Sequence, residues 1–273
     1  MKKIIRIFPR RTQATPEDDE VRIGFPDLFP PEADEYHVSA SFIYDLALAE
    51  QIAEAWSRIG RTLLGGPAAG DPGGEFEPGK YLKRGYVITS RGCPNRCAYC
   101  YVPQREGRIR EIEIKDGWRI QDNNLLACSR AHIEGVFSML ARQPHRARFQ
   151  GGLEARLMRP WIAEALKAIK PLTIYLAYDK PSDREPLAEA TRMLREAGFK
   201  RASHTISAYV LIGARGDTFE KAEERMRFVC SLGIMPFAML FRDDAGRVNR
   251  EWRKFQKRWC RPVIIGANMS SAP

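Results

Sequence analysis

From residue 86 to residue 241 the chain alternates short apolar runs with stretches of helical periodicity. This alternation constrains the fold more than any other feature of the sequence. Strands alternating with helices indicate parallel βα units. Six such units are too few for a closed eight-stranded barrel. We therefore predict an α/β fold with an open, partial (βα)6 TIM-like barrel over residues 80–242. The strand-like runs lie near Tyr86, Trp118, Arg146, Thr173, Ser207 and Phe237.

The N-terminal part has a different composition. Residues 9–35 are rich in proline and acid, which predicts an extended arm on the surface. Residues 37–64 show a strand pattern, a helical apolar face and a second strand pattern, which predict a βαβ unit. Residues 65–79 hold six glycines and three prolines, a composition typical of a linker. We predict that residues 1–79 form a small region ahead of the barrel.

Two further local patterns carry predictions. The runs over residues 110–114 and 118–121 flank Asp116-Gly117, which predicts a β-hairpin. Near the C-terminus, over residues 248–259, three aromatic residues fall on one helical face and basic residues on the other. We expect the segment 243–273 to begin with an amphipathic helix that packs on the barrel. The aromatic residues are Trp252, Phe255 and Trp259.

Positive charge is concentrated in two segments. The chain has 44 Lys and Arg against 34 Asp and Glu, a net charge of +10. Residues 80–110 hold eight basic residues and one acidic, and residues 242–261 hold eight basic and three acidic. Clustered basic charge favours an anionic partner such as a nucleotide or nucleic acid. The same charges can equally form a solvated face.

The expected compartment bears on the cysteines. No apolar run approaches the roughly 20 residues that cross a bilayer, and residues 1–8 lack the pattern of a signal peptide. We expect a cytoplasmic protein without a membrane partner. Thiols stay reduced there, so closely spaced cysteines indicate metal binding or catalysis rather than disulfides.

Three of the six cysteines lie within eight positions, just after the first barrel strand. Cys93, Cys97 and Cys100 have the spacing C-x3-C-x2-C. A structural zinc ion takes four ligands, and the next candidates along the chain are Cys128 and His132. A four-iron cluster held by three cysteines keeps one iron open. The spacing therefore favours an iron–sulfur cluster over structural zinc.

This segment resembles the signature of the radical S-adenosylmethionine (SAM) superfamily, in which an aromatic residue, here Tyr99, precedes the last cysteine. The resemblance covers roughly residues 80–242. It implies a partial six-fold barrel and a [4Fe-4S] cluster on Cys93, Cys97 and Cys100. It also implies SAM, with Tyr99 at its adenine, and an electron donor such as flavodoxin or ferredoxin. In this superfamily, reductive cleavage of SAM yields a 5′-deoxyadenosyl radical that abstracts a substrate hydrogen.

The resemblance implies SAM contacts after the second strand. Residues 121–124 stand where the family has a Gly-Gly-Glu type segment, and they look like its acidic and amide variant. Asp122, Asn123 and Asn124 can form hydrogen bonds with an ammonium or carboxylate group. The same three residues can equally form a simple turn.

Later strand ends supply three more candidates for cofactor binding. Glu154 and Asp179 follow predicted strands and are expected to face the site, because barrel active sites lie at the carboxyl ends of strands. They can equally be surface ion pairs. Gly213 ends a segment that resembles the family's fifth-strand motif near the adenine.

Two other cofactors of the superfamily are not expected. Residues 37–64 resemble a shortened cobalamin-binding-like region, but the motif Asp-x-His-x-x-Gly is absent around His37. This absence argues against cobalamin. No cysteine precedes Cys93, which argues against the second cluster of the methylthiotransferases.

The sequence therefore predicts a radical SAM enzyme acting on an unidentified anionic substrate, a nucleotide or nucleic acid. A peptide or small metabolite is the alternative substrate. A zinc-stabilised nucleic-acid-binding module without chemistry is the alternative from another class. Cys128 stands close to the expected SAM segment and has no assigned role, whereas Cys230 fits an amphipathic helix as a core residue.

Overall fold

The structure is a computed structural model that describes residues 2–243, 245–259 and 265. Over these residues the strands are β1 (Ile4–Phe8), β2 (Val21–Ile23), β3 (Glu35–Ser39), β4 (Thr62–Gly65), β5 (Tyr86–Val87), β6 (Ser90–Arg91), β7 (Arg110–Glu111), β8 (Arg119–Ile120), β9 (Arg148–Phe149), β10 (Thr173–Ala177), β11 (Ile206–Ile212) and β12 (Met235–Leu240). The α-helices are α1 (Leu46–Ser57), α2 (Val102–Arg105), α3 (Arg130–Ala141), α4 (Pro160–Ile169), α5 (Arg184–Glu196), α6 (Phe219–Ser231) and α7 (Arg250–Arg258).

The main sheet has six parallel strands in the order β12-β11-β10-β9-β8-β5. Each strand neighbours the strand that precedes it in this series, so the first and the last lie at the two edges. Helices α3 to α6 connect the successive strands from β8 to β12. Each of the six predicted strand positions lies within two residues of a strand of this sheet. The predicted α/β class with parallel strands is confirmed.

The predicted hairpin over residues 110–121 is wrong. β7 pairs antiparallel with β6, whereas β8 lies parallel between β5 and β9. Gly117 does not serve a two-residue turn. A Cβ at Gly117 would lie 2.6 Å from Cβ of Val87, so glycine here lets the chain pass close to β5.

The N-terminal part contains a parallel sheet of four strands, in the order β2-β1-β3-β4. The predicted βαβ unit corresponds to β3, α1 and β4. β1 and β2 were not predicted, and β2 lies within the segment expected to be an arm. The charged residue Arg6 interrupts the apolar pattern of β1, although its side chain is buried. Its guanidinium donates to the carbonyls of Gly79 at 3.1 Å and Lys80 at 2.6 Å.

The helices pack against one face of the main sheet. Side chains alternate along β11, so that Ala208 and Val210 are buried while Tyr209 and Leu211 are half-buried. β10 and β12 alternate in the same way. The buried positions form the larger hydrophobic core with α3 to α6, and a separate cluster around Trp56 belongs to the small N-terminal sheet.

The predicted C-terminal helix corresponds to α7. Phe255 and Trp259 are buried, and the side-chain amide of Gln256 donates to the carbonyl of Ala238 at 2.9 Å, so α7 lies along β12. Beyond Trp259, the predicted C-terminal segment lies outside the described residues, apart from Ile265. Among the helices that the structure describes, none is long and apolar enough to cross a membrane.

Candidate functional site

The three clustered cysteines lie between β6 and α2, where the chain has left the carboxyl end of β5. The backbone N–H of Cys93 donates to the carbonyl of Gly107 at 3.1 Å, which closes the loop on itself. The N–H of Cys100 donates to the carbonyl of Cys97 at 3.1 Å, in a tight turn. All three cysteines are partly buried and free.

The three thiols line one cavity of about 320 Å³. Side chains that follow successive strands of the main sheet line the same cavity, because the carboxyl ends of parallel strands share one edge. Of the residues predicted as cofactor contacts, the cavity is lined by Tyr99, Asn123, Asn124, Glu154 and Asp179.

Glu154 joins the cysteine loop to the sheet. Its Oε2 accepts from the side-chain amide of Asn124 at 2.6 Å and from that of Asn95 at 2.8 Å. The Asn124 amide also lies 3.5 Å from Sγ of Cys93. Asn95 was not singled out from the sequence, although it stands inside the segment between the first two cysteines. The buried Oδ1 of Asn124 has no hydrogen-bond partner among the described residues.

Tyr99 is tied to the strand ends on the other side of the loop. Its hydroxyl donates to Oδ2 of Asp179 at 3.0 Å, and the N–H of Leu211 donates to Oδ1 of the same carboxylate at 3.0 Å. Burial raises the pKa of Asp179. Burial and the neighbouring Asp179 charge raise the pKa of Tyr99, so its hydroxyl stays a donor. The Tyr99 ring is therefore held at the cavity wall.

Asp122 has a different position from the one expected. Its carboxylate accepts from the N–H of Thr89 at 2.8 Å and from the hydroxyls of Thr89 and Ser90, each at 2.6 Å. It is fully buried, and burial raises its pKa. Asp122 is not among the residues that line the cavity. It supports the β5–β6 segment that leads to Cys93.

Gly213 also differs from the expectation. It does not line the cavity of the cysteines. Its φ is +75°, a left-handed conformation that favours glycine. A Cβ at this position would lie 2.9 Å from the indole of Trp252 in α7. The absence of a side chain at Gly213 lets α7 pack closely at this position.

Glu106 is a residue of the site region that the sequence analysis missed. Its Oε2 accepts from the N–H of Gly92 at 2.9 Å and from the amide of Asn123 at 2.6 Å. Arg105 pairs with its other oxygen. One signal was available, because Glu106 is the only acid among residues 80–110. It holds the two ends of the cysteine loop together.

The nearest candidates for a fourth metal ligand lie elsewhere. Nε2 of His132 is 3.3 Å from the hydroxyl of Thr89, and Cys128 contacts Ser90. Burial raises the pKa of Cys128 to about 11. Neither residue lines the cavity of the three cysteines. In the described part of the chain, no three His, Cys, Asp or Glu side chains converge as ligands of one metal ion.

The thiols are electrostatically coupled to their surroundings. Burial raises the pKa of both Cys97 and Cys100, and the nearby Cys93 thiol raises the pKa of both further. Lys180 acts in the opposite direction on Cys97, and Arg105 does so on Cys100. A bound cation would therefore displace protons from these thiols, and its affinity would increase with pH.

A scan against protein-family models and a search of curated proteins found no match to this chain. Three thiols supply soft metal ligands. A carboxylate and several amides supply hydrogen-bond partners beside them. All of these groups stand at the carboxyl edge of a parallel sheet, where such folds bind their ligands.

Proposed function

We propose that this protein is a radical SAM enzyme with a [4Fe-4S] cluster on Cys93, Cys97 and Cys100. One observation carries the proposal: these three thiols line one cavity together with Asn124 and Glu154. When bound, the cluster supplies the electron that cleaves SAM to methionine and a 5′-deoxyadenosyl radical, which abstracts a hydrogen atom from the substrate.

The donor set fits such a cluster. Three cysteine thiolates suit iron–sulfur chemistry. Each of the three irons takes its own thiolate, so the ligands need only surround a common space and do not converge on one point. The amide of Asn124 supplies a hydrogen bond to Sγ of Cys93 at 3.5 Å. Hydrogen bonds to the sulfurs are one of the means by which proteins adjust such clusters.

Two side chains of the cavity are suited to the amino-acid part of SAM. The carboxylate of Glu154 can accept a hydrogen bond from the ammonium group of SAM. The hydrogen bonds from Asn95 and Asn124 both go to its Oε2 atom and not to Oε1. The orphaned Oδ1 of Asn124 is a buried acceptor for a ligand N–H. Tyr99, fixed by Asp179, offers its ring to the adenine.

We also propose that the main sheet forms the open six-fold barrel of this superfamily. Its strands are parallel and sequential, and helices follow β8 to β11. The N-terminal part contacts the chain near both edge strands of the main sheet. Arg6 binds the carbonyls just before β5, and Arg242, just after β12, lies over the ring of Tyr44 at 5.2 Å. These contacts support the proposal that the small sheet covers the open side of the barrel.

The substrate is proposed to be anionic, a nucleotide or nucleic acid, because the chain has a net charge of +10. A flavodoxin or ferredoxin in the cytoplasm would supply the electron.

Anaerobic reconstitution with iron and sulfide tests the proposal. We expect about four iron and four sulfide per chain, and release of 5′-deoxyadenosine when SAM and a reductant are added. Cys97→Ser should lose the 5′-deoxyadenosine. Cys230→Ser, in α6, is the matched control and should keep it. A colourless protein with one tightly bound zinc, in which Cys97→Ser affects only folding, would overturn the proposal.

A further inference from the structure

The face of the main sheet opposite the helices carries a group of rings. Tyr175 in β10 and Tyr209 in β11 stack with centroids 4.3 Å apart and planes 7° apart. Phe237 in β12 meets both rings edge-on, at 6.0 Å from Tyr175 and 5.4 Å from Tyr209. Met239 projects from the same face, two residues further along β12. We call these four residues the aromatic face.

The aromatic face, which is the inner face of the proposed barrel, is partly exposed to solvent. Phe237 is 48% exposed and Met239 43% exposed. Parallel sheets occur almost only with both faces covered, and a contiguous exposed apolar patch marks a binding site. The half-exposed ring of Phe237 offers aromatic surface on which another planar group can stack.

The aromatic face is continuous with the cavity of the cysteines through Tyr209. This residue lines that cavity as well as stacking on Tyr175. Its hydroxyl donates to the carbonyl of Gln150 at 3.0 Å, which fixes the ring. A planar group bound on the aromatic face would therefore lie beside the site where the proposed chemistry takes place.

Basic charge lies along β12, the edge strand that carries Phe237 and Met239. Helix α7 runs along β12, held by the hydrogen bond from Gln256 to the carbonyl of Ala238. With nine residues, α7 is about 13 Å long, several times the roughly 3.4 Å rise per nucleotide of a duplex strand. This length suits a row of phosphates rather than one. Its exposed basic residues are Arg250, Arg253, Lys254, Lys257 and Arg258.

We propose that the aromatic face binds an unpaired base of a nucleic-acid strand whose phosphates lie along α7. This inference rests on the proposed function, because it names the substrate class of that site. Stacking on side-chain rings accepts any base, and basic side chains bind the backbone. A peptide lacks the regular row of negative charges that the helix would match. The strand must be unpaired at this position, because a paired base hides its faces in the stack.

Fluorescence anisotropy of a short labelled single strand, as DNA and as RNA, tests the inference on the full chain under anaerobic conditions. Phe237→Leu keeps an apolar side chain but removes the ring, and should raise Kd at least about fivefold. Phe29→Leu is the matched control, because Phe29 is 88% exposed in the N-terminal part, and should leave Kd unchanged. On a strand with abasic positions, Phe237→Leu should have no effect.

The helix is tested separately through salt dependence. Arg253→Ala, at an exposed position, should reduce the slope of log Kd against log salt concentration by about one. Thermal melting of each variant checks that it folds.

Wild-type affinity of Phe237→Leu for the base-bearing strand would overturn the stacking. Absence of binding to any strand at low salt, or preference for an acidic peptide, would overturn the nucleic-acid assignment. Failure of the proposed function would appear separately, as missing iron, sulfide or 5′-deoxyadenosine in the wild-type chain.

Discussion

The amide of Asn124 donates to the carboxylate of Glu154 at 2.6 Å, although 30 positions of sequence separate the two residues. They follow β8 and β9, which are neighbouring parallel strands, so their side chains meet at one edge of the sheet. Asn95 of the cysteine loop reaches the same carboxylate oxygen at 2.8 Å. Glu154 is thus the point where the loop that carries the thiols is joined to the sheet.

Replacing Glu154 by Gln removes the charge and keeps the acceptor oxygen. We expect the KM for SAM to rise about tenfold, because a hydrogen bond to a charged group exceeds a neutral one by roughly 1 to 1.5 kcal/mol. Iron content should stay at the wild-type value, since the two asparagine contacts survive. Steady-state 5′-deoxyadenosine production against SAM concentration measures the change.

Glu164→Gln is the matched control for this variant, because Glu164 is exposed on α4. Its KM should equal that of the wild type. If Glu154→Gln instead loses iron while its KM is unchanged, Glu154 organises the loop and does not contact SAM.

Asn124→Ala removes the N–H that contacts Sγ of Cys93. A hydrogen bond to sulfur favours the reduced, more negative cluster. We expect the midpoint potential to fall by roughly 40 mV, the equivalent of about 1 kcal/mol for one electron. An EPR-monitored redox titration measures it.

Asn123→Ala is the control for this shift. The amide of Asn123 contacts Glu106 rather than a cysteine, so its loss should leave the potential unchanged. An unchanged potential in Asn124→Ala would show that the 3.5 Å contact has no influence on the cluster.

The features that the sequence predicted are local ones. The spacing of Cys93, Cys97 and Cys100 within one loop already requires the thiols to be neighbours. The strands β10 and β11 can be predicted because burial of one face makes buried and half-buried side chains alternate along the strand. Such patterns need no knowledge of distant parts of the chain.

What could not be predicted depends on distant partners. Arg6 is buried in β1 because carbonyls 73 and 74 positions away accept its guanidinium protons, and no local pattern reveals them. Asp122 and Asn124 are two residues apart and both polar. Asp122 accepts a hydrogen bond from Thr89, whereas Asn124 lines the cavity. The backbone path after β8 decides this difference, and composition does not contain it.

Asp122 predicts a pH dependence of stability. Burial raises its pKa in the folded chain, so above about pH 4, the ordinary value for Asp, the folded chain holds more protons than the unfolded one. The free energy of unfolding therefore falls as pH rises through the range between the two pKa values. In Asp122→Asn this contribution disappears, so the stability of the wild type relative to the variant should decrease with increasing pH.

Urea unfolding of the reduced, metal-free chain at several pH values measures this difference. Asp27→Asn, at an exposed position, supplies the comparison for removing a carboxylate that is not buried. A constant difference between wild type and Asp122→Asn across the pH series would contradict the burial argument.

Alanine variants at two glycines of one loop distinguish the effect of backbone strain on stability from the effect of a steric contact. Gly213 and Gly216 both have a left-handed φ, +75° and +81°. Alanine at either position pays roughly 1–2 kcal/mol for that conformation. At Gly216 the new Cβ meets nothing within 4 Å, whereas at Gly213 it would lie 2.9 Å from the indole of Trp252. Gly213→Ala should therefore lose at least about 1 kcal/mol more of the free energy of unfolding than Gly216→Ala.

Urea denaturation of the two variants measures the difference, and limited trypsin digestion reports on α7, whose exposed Lys and Arg residues are its cleavage sites. In Gly213→Ala the displaced Trp252 should loosen α7 from β12 and speed cleavage there, because the helix is held by Trp252, Phe255 and the Gln256 hydrogen bond. Gly216→Ala should be cleaved at the wild-type rate. Equal stability losses with equal cleavage rates would mean that the indole moves aside without cost, and that Gly213 is required by its φ alone.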